Sequence, residues 1–102
     1  MTPMPASVRI GPHVYSILRK PAAAMPNSWG SCDNGTLQIW VRQRLKLSKS
    51  KEILLHEVFH ACLHSSVNGG SYNEEEDFVE ALSPALLQVI QDNPELLEYL
   101  TQ

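Results

Sequence analysis

The chain has 102 residues, enough for one small domain with a single core. With 43% hydrophobic and 19% charged residues it is too apolar for a disordered chain, and a net charge of −3 gives no general attraction to nucleic acid or to an acidic membrane. No apolar stretch approaches the roughly 20 residues that would span a bilayer, and the start, MTPMPASVRIG, lacks the basic head and apolar segment of a secretory signal.

Residues 1–6 hold two prolines and are expected to trail. From Ser7 to Lys20, Val8, Ile10, Val14, Ile17 and Leu18 are punctuated by Gly11-Pro12, the pattern of a bent strand or hairpin. Residues 21–35, PAAAMPNSWGSCDNG, read as loop and turn, with Asn34-Gly35 favouring a left-handed turn that could open a hairpin. TLQIWVR then alternates, Leu37, Ile39 and Val41 facing one way and Gln38, Trp40 and Arg42 the other, so it is a strand. The basic run RQRLKLSKSK is a solvated lead into a helix, with Ser48 or Ser50 as its N-cap.

A helix follows from about Ser48 to Ser66 and is broken by Val67-Asn68-Gly69-Gly70. A second runs from about Asn73 to Gln91, bent or split at Pro84, because proline offers no helical N–H. Asp92-Asn93-Pro94 ends it and starts a short third helix, ELLEYL. Strands first and helices after predict a single α+β domain over residues 1–102: a small N-terminal sheet or hairpin, an active-site helix and a second, Pro-bent helix. Cys32 and Cys62 are too few for a disulfide framework and are read as reduced thiols in the cytoplasm, the host cytoplasm if the gene is viral. Cys32 with His13 forms a minor second pair of candidate zinc ligands.

Chemistry concentrates in HEVFH, residues 56–60. Three of the four histidines, His56, His60 and His64, recur there at intervals of four. Residues four apart on a helix are neighbours, so His56 and His60 can present two ring nitrogens to one Zn²⁺ ion, while Glu57 is turned about 100° away, outside the ligand set but within reach of a metal-bound water. Two neutral nitrogen ligands, an open position for water and a carboxylate to take its proton are what metal-assisted hydrolysis requires. Leu54, Val58 and Ala61 share one sector of the helix and Leu55, Phe59 and Cys62 another, so most of its circumference is apolar, and three imidazoles and a carboxylate buried there would need partners, of which a metal is one. A catalytic zinc takes three protein ligands. The third is sought in the acidic start of the second helix, whose acids otherwise complement the helix dipole. Glu76 is preferred, because Glu80 one turn on can orient it; Glu75 and Glu80 are the alternatives, and His64 is a further candidate ligand or supporting group. His64, Tyr72 or Tyr15 could stabilise an oxyanion.

With these residues in place the chain resembles the gluzincin-type zinc metallopeptidases, more closely the small phage- and prophage-encoded metallopeptidase-like proteins and more distantly the ImmA/IrrE group. The matching pieces are GTLQIWV, ILLHEVFHACLH and EEEDFVEALSPALLQVIQDNPEL in that order. The resemblance implies a minimal zincin-like domain with zinc on His56 and His60, Glu57 as general base and an acid of the second helix as third ligand. It also implies a strand edge, expected at 36–42, that holds an extended peptide by main-chain pairing. The chain departs from the ImmA/IrrE pattern at Phe59, where many members carry a small residue, and in lacking their Glu-Ala-Asn-type signature. The expected function is zinc-dependent hydrolysis of a peptide or protein substrate, with neither nucleic acid nor membrane as partner. The alternative is a non-catalytic protein-binding module of phage type with a structural zinc, and a weaker one a metal-free helical adaptor. No oligomeric state, substrate or cleavage preference is written in the sequence.

Overall fold

A computed structural model describes residues 3–67 and 75–102, with backbone alone at 66–67, 75–81 and 83. Strands β1 (Ser7–Ile10), β2 (His13–Lys20), β3 (Gly30–Asp33) and β4 (Gln38–Arg42) precede helices α1 (Leu47–Val67), α2 (Glu75–Asp92) and α3 (Pro94–Thr101). The domain is α+β, as its order of patterns predicts. The four strands form one sheet in the order β1-β2-β4-β3. β1–β2 and β3–β4 are antiparallel pairs joined by a parallel β2–β4 seam.

The hairpin at Gly11-Pro12 forms because Gly11 takes φ +59, and a Cβ there would lie 2.6 Å from Ser65 Oγ. The turn after β3 is built differently from the Asn34-Gly35 expectation. Asp33 Oδ1 accepts from the backbone N–H of Gly35 and of Thr36 (2.9 and 3.0 Å), and the left-handed residue is Leu37, φ 57. The alternation of β4 holds, with Ile39 and Val41 fully buried.

Four further expectations are corrected. The stretch 21–35 contains a short 3-10 turn (Ala22–Ala24) and the strand β3, whose GSCD carries no hydrophobic alternation and is extended by its pairing with β4. Segment 36–42 is not an edge: β4 has β2 on one side and β3 on the other, so the edges are β1 and β3. Ser48 and Ser50 lie inside α1 rather than capping it; Ser50 is buried and its Oγ accepts from Arg19 Nη2. At the other end of the sequence pattern, the chain is held from Met4 onward rather than trailing. Met4 packs against the core, Pro5 is buried, and the Ala6 carbonyl accepts from Ile17 N–H. Helix α2 continues through Pro84 as one element.

The core lies between the sheet and α1. Val8, Ile10, Tyr15, Ile17, Ile39 and Val41 from the strands meet Leu54, Val58, Ala61 and Cys62 from α1, with Val89, Leu96 and Tyr99 closing it from α2 and α3. Behind α1, Leu55 and Phe59 join Leu86, Val89, Leu96 and Leu100 around an apolar cavity of about 210 Å³. The edge strand β1 is covered. Arg9 N–H donates to Asn93 Oδ1 (2.8 Å), and Asn93 Nδ2 donates back to the Arg9 carbonyl (2.9 Å). Gln88 adds bonds to Gly11 N–H and to the same carbonyl. No described helix is long and apolar enough to cross a membrane.

Candidate functional site

Helix α1 runs unbroken through HEVFH, so residues 56 and 60 stand one turn apart. His56 Nε2 and His60 Nε2 approach to 3.1 Å, with ring centroids 4.8 Å apart and planes at 68°. Two Zn–N bonds of about 2.0–2.1 Å at a tetrahedral angle place their nitrogens about 3.3 Å apart, so the pair fits as two ligands of one ion. The same approach serves as an N–H···N hydrogen bond when one ring carries its proton on Nε2.

Of the histidine row and the glutamate expected to be buried together, only the glutamate is. His56, His60 and His64 are exposed, and the buried charge is Glu57, at 7% exposure. The histidine row therefore needs no partner to offset desolvation, and the demand for one moves to the carboxylate. Burial pushes the Glu57 carboxyl above the usual range, while His56 and His60 act in the opposite direction. Its neighbour on the sheet is Gly30 of β3, where a Cβ would stand 3.0 Å from Glu57 Oε2 and would also collide with Ile53. A glycine at this position lets the edge strand lie directly on the glutamate.

Because Arg42 N–H bonds the Trp29 carbonyl, the ladder alternation leaves the N–H and C=O of Gly30 and Cys32 pointing away from β4. Among the described residues nothing pairs with that outer side. The free backbone edge and the buried glutamate are thus adjacent, and Cys32 is close enough for the Glu57 charge to disfavour its thiolate. Burial is the larger cause, and together they push the Cys32 thiol up to about 11.

The remaining candidates are distributed as follows. His64 does not join the His56–His60 pair; with His13, Tyr15, Asn34, Ser65 and Pro12 it lines a separate cleft of about 280 Å³. Tyr15 is buried and its hydroxyl donates to Asn34 Oδ1 (2.7 Å), which fixes it away from an oxyanion role. Cys32 does not line that cleft; its thiol donates to the same Asn34 oxygen at 3.6 Å, so Cys32 and His13 do not form a ligand pair. Among the described residues there is no group of three or more His, Cys, Asp or Glu placed to hold a metal. Glu75, Glu76 and Glu80 lie on α2, but their side chains, like Tyr72, lie outside the described residues.

Comparison of the chain with protein-family models, with curated proteins and with solved structures finds no match in any of the three. The site's own geometry has to carry the functional argument. Sequence reasoning passed over Gly30, and took Asn34 only as a turn residue and His13 only as a zinc partner of Cys32. Gly30 carried a signal in retrospect, a lone glycine after Trp29 in a stretch read as loop, while Asn34 and His13 become site residues only through tertiary packing.

Proposed function

We propose that the chain is a minimal zinc-dependent peptidase that hydrolyses a peptide bond lying along β3. The observation that carries this reading is the 3.1 Å approach of two exposed imidazole nitrogens beside a buried glutamate that an open strand edge covers. His56 and His60 would hold the ion, with Glu76 as the proposed third ligand and Glu75 or Glu80 as its substitutes. A bound zinc supplies Lewis acidity, which makes water a nucleophile near neutral pH and polarises a carbonyl.

The chain's own residues do the rest. Gly30 and Cys32 offer backbone N–H and C=O groups that can align an extended peptide as a further strand, which makes β3, not β4, the recognition edge. Glu57, poorly hydrated and one residue from His56, receives the proton of the attacking water and returns it to the leaving amine. Burial keeps its carboxyl more basic than a surface glutamate, which suits a group that must accept a proton and give it back. Cys32 and Cys62 are not joined in a disulfide, which fits a reducing compartment, and we place the protein in the cytoplasm.

The test is Glu57→Gln in protein loaded with zinc. Zinc content and the unfolding midpoint should match the parent, while hydrolysis of a peptide library should fall by at least 10²-fold, the scale of a lost general base. A variant that cleaves as well as the parent removes Glu57 from the reaction. A parent that binds zinc stoichiometrically yet cleaves nothing favours the non-catalytic binding module.

A further inference from the structure

The cleft lined by Pro12, His13, Tyr15, Asn34, His64 and Ser65 is separate from the His56–His60 pair and has no part in the reaction proposed above. Three segments remote in sequence build it: the β1–β2 turn, the turn after β3 and the end of α1. They are held together by contacts specific to this place. The β1–β2 turn lies against Ser65, whose Oγ stands 2.6 Å from where a Cβ at residue 11 would be, and Gly11 supplies the φ of +59 that the turn requires. Tyr15 O–H and Cys32 S–H both donate to Asn34 Oδ1.

That double acceptance fixes the chemistry of the cleft. With its oxygen engaged twice, Asn34 is left with its two amide N–H groups, and no described residue takes them. His13 and His64 each carry at least one ring N–H in either tautomer, and Ser65 has a hydroxyl to donate. No aspartate or glutamate is among the described lining residues. A concave site whose described lining is rich in neutral donors and holds no carboxylate suits an anionic acceptor, and at about 280 Å³ it takes a small group rather than a whole peptide.

The cleft is also correctly placed. Gly30 sits at the level of Ile53 and Glu57, and Asn34 lies beside His64, so β3 and α1 run alongside each other. From His60 to His64 is one helical turn, about 5–6 Å. An extended chain rises about 3.3 Å per residue, so a peptide on β3 reaches the cleft within two or three residues of the His56–His60 pair.

We infer that this cleft is a carboxylate-binding subsite, which holds a chain terminus or an Asp or Glu side chain of the bound peptide. It rests on the peptidase reading only in naming a peptide as the source of the carboxylate.

The experiment follows the Asn34 side-chain amide and the histidine ring signals by NMR in the full chain. The probes are N-acetylglycine, the α-amide of N-acetylglutamate, and N-acetylglycine amide as the uncharged control. At least one carboxylate should give saturable shifts at Asn34 and His64, at least tenfold tighter than the control. Response to the first alone assigns a chain terminus, and to the second alone an acidic side chain. Asn34→Asp keeps an acceptor for Tyr15 but removes the amide donors and adds a charge, and should weaken binding at least tenfold. The exposed pair His13→Ala/His64→Ala, which removes both ring N–H donors, should weaken binding to the same extent and gives the same reading at Asn34 if Asn34→Asp does not fold. Absence of saturable shifts, equal response to the control, or unchanged affinity in a folded variant overturns the inference. Binding should persist in Glu57→Gln, so a failure of the peptidase reading is distinguishable from a failure of this one.

Discussion

The two edges of the sheet are treated in opposite ways. At β1 the outward N–H and C=O of Arg9 are both taken by the side chain of Asn93, which imitates a neighbouring strand, and Gln88 reinforces it. At β3 the outward groups of Gly30 and Cys32 meet no described partner. An unpaired edge invites association with other chains, and proteins usually cover it. Here one edge is covered by Gln88 of α2 and by Asn93 between α2 and α3, and the other meets no described residue beside a buried glutamate. The difference teaches that the β3 edge is not simply a boundary the fold failed to close. The same chain has the means to close an edge and, among the described residues, uses them on the side away from HEVFH.

The strongest way to break this contrast is Gly30→Val. The side chain has to occupy space already filled by Ile53 and Glu57, so overpacking should cost about 1–3 kcal/mol, read from urea unfolding, and move Glu57 enough to abolish any hydrolysis. Asn93→Ala should cost less, about 1–2 kcal/mol, since it orphans Arg9 N–H and leaves the Arg9 carbonyl to Gln88 alone at a partly solvated edge. This variant should also gain a tendency to associate through β1, visible as a concentration-dependent sedimentation coefficient.

Hydrogen exchange sharpens the comparison without mutation. The Arg9 amide should be protected and the amides of Gly30 and Cys32 should exchange quickly, with a bound peptide slowing only the second set. A protected Gly30 in the free protein would remove the open edge.

The smallest effect lies at high pH. Burial pushes the thiols of Cys32 and Cys62 from 9.0 up to about 11, so both stay neutral in the fold at pH values where the unfolded chain ionises. Their contribution is complete below about pH 9 and is lost as pH rises through about 11. Tyr15 and Tyr99 shift in the same direction, so Cys62→Ala should make the decline of the urea midpoint across this window shallower without removing it.

What could be read from the sequence follows the range of the interactions involved. The approach of His56 and His60 depends on one helical turn, and the apolar spacing of ILLHEVFHACL was enough to place it. The alternation of TLQIWVR likewise gave β4 and its buried face. β3 escaped notice because GSCD has no pattern of its own and is a strand only through its partner. The edge was misassigned because β4 gains its second neighbour from β2, a parallel pairing that leaves no local signal. The exposure of the histidines and burial of Glu57 depend on which sector of α1 the sheet covers, and a helix apolar over two sectors does not announce that. Whether an acid of α2 could serve as the proposed third ligand depends on how α2 crosses α1, which no residue in EEEDFVE specifies alone.

The clasp between Arg9 and Asn93 has a consequence for how the protein is made. Its partners are 84 residues apart, so during synthesis β1 emerges long before the side chain that caps it. Until Asn93 leaves the ribosome, a nascent chain carries two unguarded strand margins rather than one. The window for wrong pairing on polysomes is therefore set by translation speed across α1 and α2, and it closes only when the last helix begins to form.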